Sequence, residues 1–319
     1  MAGGNRIITV FGGSGFLGRH LVRRLVRLEN VLVRVACRHP RRAGFLKTAG
    51  DVGQVMPVGV DIFSDEQVAA AVEGAGIVIN LIGILYESGR WSFQAVQADA
   101  AGRIARAARA AGAERLIQVS AIGADKNSAS AYARSKALGE LEAFLAFPEV
   151  TILRPSIVFG PEDGFFNRFA AMARLSPFLP LIGGGHTRFQ PVYVGDVADA
   201  VMAALRDPET RGRTYELGGP TVYSFRQLME RLLLEIRRSR TLLPIPWWLA
   251  RMQAWFFERL PDPMLTRDQV ELLRRDNVVG PDSRGFKELG IAPTSIEVVL
   301  PSYLKRFRPG GGYNSNRHA

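Results

Sequence analysis

Tyr132-Ala-Arg-Ser-Lys136 sets a phenol and an ammonium four residues apart, a spacing that puts both on one face of a helix. An ammonium beside a phenol stabilises the phenolate and lowers its pKa toward the operating pH, which a general acid–base requires. Ser120 lies about a dozen residues upstream, directly after the apolar run Leu116–Val119, where its hydroxyl can donate to a substrate carbonyl. Tyr-x-x-x-Lys alone recurs by chance in many helices. The trio gains meaning from the elements that position it.

The first of those elements opens the chain. Arg6-Ile-Ile-Thr-Val10 reads as a buried strand and Arg19 to Leu28 as a helix apolar on one face. The glycines of Val10-Phe-Gly-Gly-Ser-Gly-Phe-Leu-Gly18 therefore fall at a strand-to-helix turn. Gly12, Gly15 and Gly18 are spaced G-x-x-G-x-x-G, with Gly13 beside the first. Residues lacking a Cβ let backbone N–H groups and the positive end of a helix approach a pyrophosphate closely. Any tight corner can use glycine, but one that opens a run of alternating strands and helices predicts a nucleotide site.

The alternation continues. Val31–Ala36, Gln54–Val60, Ile77–Asn80, Leu116–Val119 and Thr151–Leu153 read as strands, with helices over Asp65–Val72 and Phe93–Ala111. This rhythm predicts an α/β fold, a doubly wound parallel sheet of Rossmann type, with ligands outside the carboxyl ends of the strands. The second strand runs into Cys37-Arg38-His39-Pro40, where an NAD site usually places a carboxylate for the ribose 2′-hydroxyl. Arg38, with Arg41 and Arg42 nearby, suits a 2′-phosphate instead, so NADPH is expected over NADH; the alternative is that Arg38 faces solvent. Asp61-Ile62 could hold an adenine ring, or Asp61 could cap the helix beginning at Asp65.

The expected cofactor contacts are Gly12, Gly13, Ser14, Gly15, Phe16, Leu17, Gly18, Arg19, Arg38, Asp61, Ile62, Asn80 and Gly83 after the fourth strand, Tyr132, Lys136, and Pro155 after the sixth.

Composition bounds the alternatives. The 319 residues, 47% of them hydrophobic, can fill one large domain and a smaller one. The most continuous apolar stretch, Ala75 to Tyr86, is broken by Gly76, Asn80 and Gly83 and falls short of the roughly 20 residues a spanning helix needs. One cysteine, Cys37, excludes a disulfide framework, and with four histidines no metal cluster is expected. The first strand begins by Arg6, so neither a signal nor a transit peptide is expected and the chain reads as bacterial and cytoplasmic. The net charge of +11 suits an acidic partner or an anionic membrane surface. The arginines lack the aromatic interleaving of a nucleic-acid platform, so no nucleic acid is expected.

With these residues in place the chain resembles the short-chain dehydrogenase/reductase superfamily, in its extended and atypical branches. The resemblance implies that Ser120, Tyr132 and Lys136 carry hydride-transfer chemistry and that Lys136 also holds the nicotinamide ribose. One departure is Val96-Gln97, where extended members often have Val-Asn. A narrower resemblance covers nearly the whole chain. The glycine turn through Arg19, Tyr132-Ala-Arg-Ser-Lys-Ala-Leu-Gly-Glu140, Arg154-Pro-Ser-Ile-Val-Phe-Gly-Pro-Glu-Asp163, Phe165-Phe-Asn-Arg-Phe169 and Gln190-Pro-Val-Tyr-Val-Gly-Asp-Val197 are similar to the NAD(P)H-binding accessory subunits of respiratory complex I. That likeness implies a tightly held NADPH, contact with core subunits of the peripheral arm near the membrane, and a structural or assembly role with little turnover. The alternative is a soluble NADP-dependent reductase or epimerase of a small carbonyl compound using Ser120, Tyr132 and Lys136.

The dinucleotide domain is expected over 1–155 with a returning segment near 190–217. A smaller, mainly helical domain over 156–189 and 218–308 closes over the site, and 309–319 forms a flexible tail. Trp248, Met252, Trp255 and Phe256 share one helical face and form either the small domain's own core or a docking surface. Asp196 is expected to cap a helix, His186 to be a loop histidine, and Gly183 to Gly185 to flex over a pocket.

Overall fold

The computed structural model describes residues 6–261 and 263–311. Of these, the residues of Met1–Pro155, Val197–Leu217 and Asp282–Ile291 form one compact unit, and those of Ser156–Asp196, Gly218–Pro281 and Ala292–Ala319 a second. Residues 282–291 join the first unit because the Glu216 N–H donates to the Arg284 carbonyl at 2.8 Å, adding this segment beside the last strand. Of the expected tail, residues 312–319 lie outside the described residues.

In the first unit β1 (Arg6–Phe11), β2 (Val31–Cys37), β3 (Val55–Gly59), β4 (Ala75–Asn80), β5 (Arg115–Val119) and β6 (Thr151–Pro155) alternate with α1 (Phe16–Leu25), α2 (Asp65–Val72), α3 (Ala100–Ala110) and α4 (Ala131–Ala146). The chain continues through β7 (Val158–Phe159), α5 (Phe166–Leu175), β8 (Phe178–Ile182), β9 (Arg188–Phe189) and β10 (Val192–Tyr193). Then α6 (Val194–Arg206) leads to β11 (Thr214–Leu217). The last elements are β12 (Tyr223–Ser224), α7 (Phe225–Glu235), β13 (Thr241–Ile245), α8 (Trp247–Phe257), α9 (Arg267–Leu272) and α10 (Ile296–Leu304).

The central sheet has seven strands in the order β11-β6-β5-β4-β1-β2-β3, all parallel. Helices cover both faces of such a sheet, so its strands read as unbroken apolar runs. Ile8, Val10, Phe11, Val33, Val35, Val78, Ile79 and Ile117 are fully buried. Thr9, also buried, is satisfied by donating to the Ala71 carbonyl at 2.9 Å. The α/β doubly wound expectation holds.

Two local expectations change. The cap of α2 is Ser64, whose hydroxyl accepts from the Gln67 N–H at 3.2 Å. Asp61 instead accepts from the Phe63 N–H at 3.2 Å, one turn too early to cap. The helix expected over 93–111 begins as a widened π turn, Gln94–Asp99, before α3. A Cβ on Gly139 of α4 would overlap the Gln97 carbonyl, so the absence of a side chain there lets the two backbones meet.

The second unit carries three two-stranded ladders besides its helices: β7 with β10, β9 with β12, and a five-residue parallel pairing of β8 with β13. A ring cluster of Phe165, Phe166, Phe169, Phe189 and Phe225 lies in its core. The buried Asp163 accepts from Tyr303 at 2.6 Å and from three backbone N–H groups. Asp196 lies inside the first turn of α6, and its carboxylate takes both the N–H and the hydroxyl of Thr294. His186 is an exposed loop residue.

Helix α8 inverts the usual amphipathic order. Its small Ala250 and Ala254 are fully buried against Ile182, Ile245 and Val270, while Trp248 (68% exposed), Met252 (56%), Trp255 (50%) and Phe256 (61%) face outward. The reading of these rings as the small domain's own core is therefore corrected: alanines fill that core.

Candidate functional site

The strand order reverses at β1, whose neighbours are β2 and β4, so the loops leaving these strands part and open a crevice. A cavity of about 350 Å³ lies there. Gly12, Ser14, Gly15, Phe16, Leu17 and Gly18 form one wall; Ala36, Cys37 and Arg38 at the end of β2, and Val60 and Ile62 after β3, form another. Leu81-Ile82-Gly83-Ile84 after β4, with Trp91 and Val96, completes the lining. A second cavity of similar volume, at the β11 edge, is lined by Arg154, Glu216 and Arg284 among others and has no glycine turn.

The glycine wall follows from sterics. Gly12 has φ +76°, and a Cβ on Gly18 would lie 2.5 Å from the Gly12 oxygen and from the Gly13 Cα and carbonyl carbon. Helix α1 begins at Phe16, three residues before the expected Arg19, with Gly15 at its N-cap. No side chain caps it and its first turn holds no acid, so its terminal N–H groups and positive dipole are left for an anion.

Of the catalytic candidates, Tyr132 and Lys136 lie in α4 and Ser120 directly after β5. Lys136 is 6% exposed. Burial pushes its ammonium down to about 8, with Glu140 opposing. Its Nζ lies 5.9 Å from the Tyr132 ring centroid, and the Tyr132 ring meets Phe93 edge to face at 5.7 Å. A Cβ on Gly83 would stand 3.2 Å from Lys136 Nζ and 3.9 Å from Gln97 Oε1, so both side chains flank the β4 loop that lines the cavity. Two buried oxygens among the described residues, Gln97 Oε1 and Ser120 Oγ, have no hydrogen-bond partner.

Other expected contacts have different duties. Asn80 is buried in an amide pair with Gln118 (2.8 Å) and accepts from the Ile82 N–H (3.0 Å), which holds the 81–83 loop in place. Where a Cβ would stand, Gly13 faces Val10 and Val35 of the sheet. The Arg19 guanidinium lies over Phe45 at 5.3 Å. Pro155 accepts from the Ile122 N–H at 3.0 Å. Of the expected contacts, Gly13, Arg19, Asp61, Asn80, Tyr132, Lys136 and Pro155 do not line the cavity; Trp91, Leu81, Ile82, Ile84, Val60 and Cys37, not expected, do. The strand ends marked most of these, and nothing in the pattern marked Trp91. Burial pushes the Cys37 thiol up, despite hydrogen bonds from His39 and Ser14.

A glycine cradle that a Cβ would fill, an uncapped helix terminus and the orphaned Gln97 oxygen across Gly83 from Lys136 fit a nicotinamide dinucleotide. Residues 8–218 match the sequence model of the NAD dependent epimerase/dehydratase family. The mitochondrial NADH dehydrogenase (ubiquinone) 1 alpha subcomplex subunit 9 of Arabidopsis thaliana is 38% identical, across 96% of this chain and 79% of that protein. The mitochondrial NADH-ubiquinone oxidoreductase 40 kDa subunit of Neurospora crassa is 32% identical, across 98% of this chain and 82% of that protein. Among solved structures, the NADPH-dependent quinone oxidoreductase QOR2 of Escherichia coli, complexed with NADPH, shares the fold: TM-score 0.73 and 18% identity, over 93% of this chain and 98% of that one. By sequence, this chain belongs to the NAD-dependent epimerase/dehydratase family and, within it, groups with the subunit 9 proteins of the NADH dehydrogenase 1 alpha subcomplex.

Proposed function

We propose that this chain is an accessory subunit of the proton-pumping NADH:quinone oxidoreductase, holding NADPH as part of its fold and turning it over little or not at all. The observation that carries this reading is an identity of 32–38% over 95–98% of the chain with proteins named as subunits of that enzyme. A ligand that binds only the folded state stabilises it by mass action, which gives the nucleotide a structural role without chemistry. The place we assign is peripheral, on the cytoplasmic face of a bacterial inner membrane and against core subunits of the peripheral arm. Among the described residues no helix is long and apolar enough to cross a membrane.

Native electrophoresis of gently solubilised membranes, with mass spectrometry to locate the chain, tests this. Co-migration with the core subunits is expected, and migration only as a free species would overturn the reading. The outward rings of α8 are the docking candidates. Two buried aromatic anchors contribute roughly 2 kcal/mol each at an interface centre. A Trp248→Ser, Trp255→Ser chain is therefore expected to keep its fold, since Ala250 and Ala254 make the packing, and to co-migrate at least tenfold less. Undiminished co-migration would remove α8 from the interface.

The 2′-phosphate assignment has its own test. Arg38→Asp replaces an attraction to a dianion with a repulsion, and should weaken NADPH roughly 50-fold while changing NADH less than about threefold. Titration calorimetry reads both. Equal losses would place Arg38 away from the 2′-phosphate.

A second reading, an NADP-dependent reductase or epimerase of a small carbonyl compound, is favoured by the unpartnered Ser120 hydroxyl. A bound nicotinamide would supply or take up hydride there. The chain's own part is to donate from Ser120, to hold a mobile proton on the Tyr132 oxygen, and to bias that proton through Lys136. Turnover of carbonyl substrates at about 1 per second or faster would establish this reading. A nucleotide that is never oxidised would remove it.

A further inference from the structure

Two cations share one aromatic cluster on the cavity wall. The Arg38 guanidinium lies 4.8 Å from the Trp91 ring centroid. The Arg90 guanidinium lies 5.4 Å from the same ring and 4.7 Å from Phe63, whose ring is 4.8 Å from that of Trp91. The backbone fixes this arrangement: Ser88 and Trp91 exchange both N–H···O=C bonds (3.2 and 3.0 Å) across the two-residue turn Gly89-Arg90, with Gly89 at φ +55°. One carboxylate pairs with Arg90 alone. Asp61 Oδ2 lies 3.2 Å from Arg90 Nη1, while Asp61 Oδ1 takes the Phe63 N–H. Among the described residues Arg38 is in no ion pair. Two guanidiniums held against one indole repel each other, and of the nearby carboxylates Asp61 pairs with Arg90 only while Glu87 takes the Phe93 N–H, so among the described residues Arg38 has no carboxylate of its own. A dianionic phosphate monoester is the ligand chemistry that answers both cations, because each guanidinium can give it paired N–H donors.

We propose that Arg90 and Trp91 determine dinucleotide specificity. Arg90 supplies a second guanidinium to the ribose 2′-phosphate, and Trp91 positions both cations by stacking. This rests on the NADPH reading above and adds to it residues that no glycine or strand-end pattern marks. Arg90 is the binding group and Trp91 the positioning residue.

The test titrates the full chain with adenosine 2′,5′-bisphosphate and with AMP, which differ in the 2′-phosphate. Arg90→Ala alters an exposed side chain and should weaken the bisphosphate about tenfold, leave AMP within about twofold, and flatten the salt dependence of bisphosphate binding. Arg90→Lys should recover part of the loss. Trp91→Leu should weaken the bisphosphate severalfold when Arg38 is present and add nothing to its preference over AMP in an Arg38→Asp background. A purely structural tryptophan would not show that dependence. If the unaltered chain prefers the bisphosphate and Arg90→Ala keeps the full preference, the role of the turn is overturned and the NADPH site stands. If the unaltered chain takes both probes equally, or neither, the NADPH reading falls and this inference falls with it.

Discussion

Gly18→Val is expected to cost at least 1,000-fold in affinity for NADPH and NADH alike. The atoms a Cβ would strike, 2.5 Å away, are the Gly12 oxygen and the Gly13 Cα and carbonyl carbon. All three are backbone, so no rotamer change relieves the contact, and the whole Gly12–Gly15 turn must swing away from α1. Overpacking of this kind costs about 1–3 kcal/mol of stability. The larger effect is on binding, because the displaced turn is itself the cavity wall and closes the approach to the α1 terminus. A thousandfold loss corresponds to about 4 kcal/mol. Calorimetry gives the affinity and thermal melting the stability. A folded Gly18→Val chain that binds within tenfold of the original would show that the nucleotide does not use this turn.

Lys136→Met is expected to stabilise the empty chain by about 3 kcal/mol at pH 7. Burial lowers the lysine from its ordinary 10.5 to about 8, so below pH 8 the folded chain carries a buried ammonium at a cost the unfolded chain escapes. Between about pH 8 and 10.5 the unfolded chain binds more protons than the folded one, and stability rises with pH as the penalty is relieved. Glu140 offsets the burial only in part, since both its oxygens are held by Arg154 at 2.9 and 2.6 Å. Methionine keeps much of the apolar stem and cannot ionise. Urea unfolding at several pH values should show the variant ahead at pH 7 and the gap closing toward pH 10.5. A variant that is less stable at neutral pH, or a gap independent of pH, would mean the ammonium is satisfied structurally. A stabilising loss of this lysine is the mark of a group kept for a ligand.

Six strands of the parallel sheet were legible because strands buried on both faces write themselves as apolar runs; the seventh, β11, and the strand order were not, since alternation with helices fixes neither. The start of α1 was misplaced because Phe16-Leu-Gly18 looks like turn, whereas Gly15 is the cap. The ladder of β8 with β13 is not legible in the sequence, because Pro180 and Pro244 interrupt any strand pattern there. In a two-stranded ladder every strand is an edge, and an edge tolerates proline. Periodicity placed the rings of α8 on one face but could not say which face packs; the buried Ala250 and Ala254 decide that, and alanine carries no pattern signal. Trp91 lies in a stretch without periodicity, and only the closure of the Ser88–Trp91 turn brings it to Arg38. The π turn at Gln97 depends on a distant glycine on α4, a contact that local spacing does not encode.

Every residue lining the dinucleotide cavity falls between Gly12 and Val96, whereas the outward rings begin at Trp248. A ribosome adding about 5–20 residues per second delivers the cavity walls roughly 8–30 s before α8. The order of the chain is thus also an order in time: the cavity walls are made before α8, whereas residues 282–291, which complete the same compact unit, follow it.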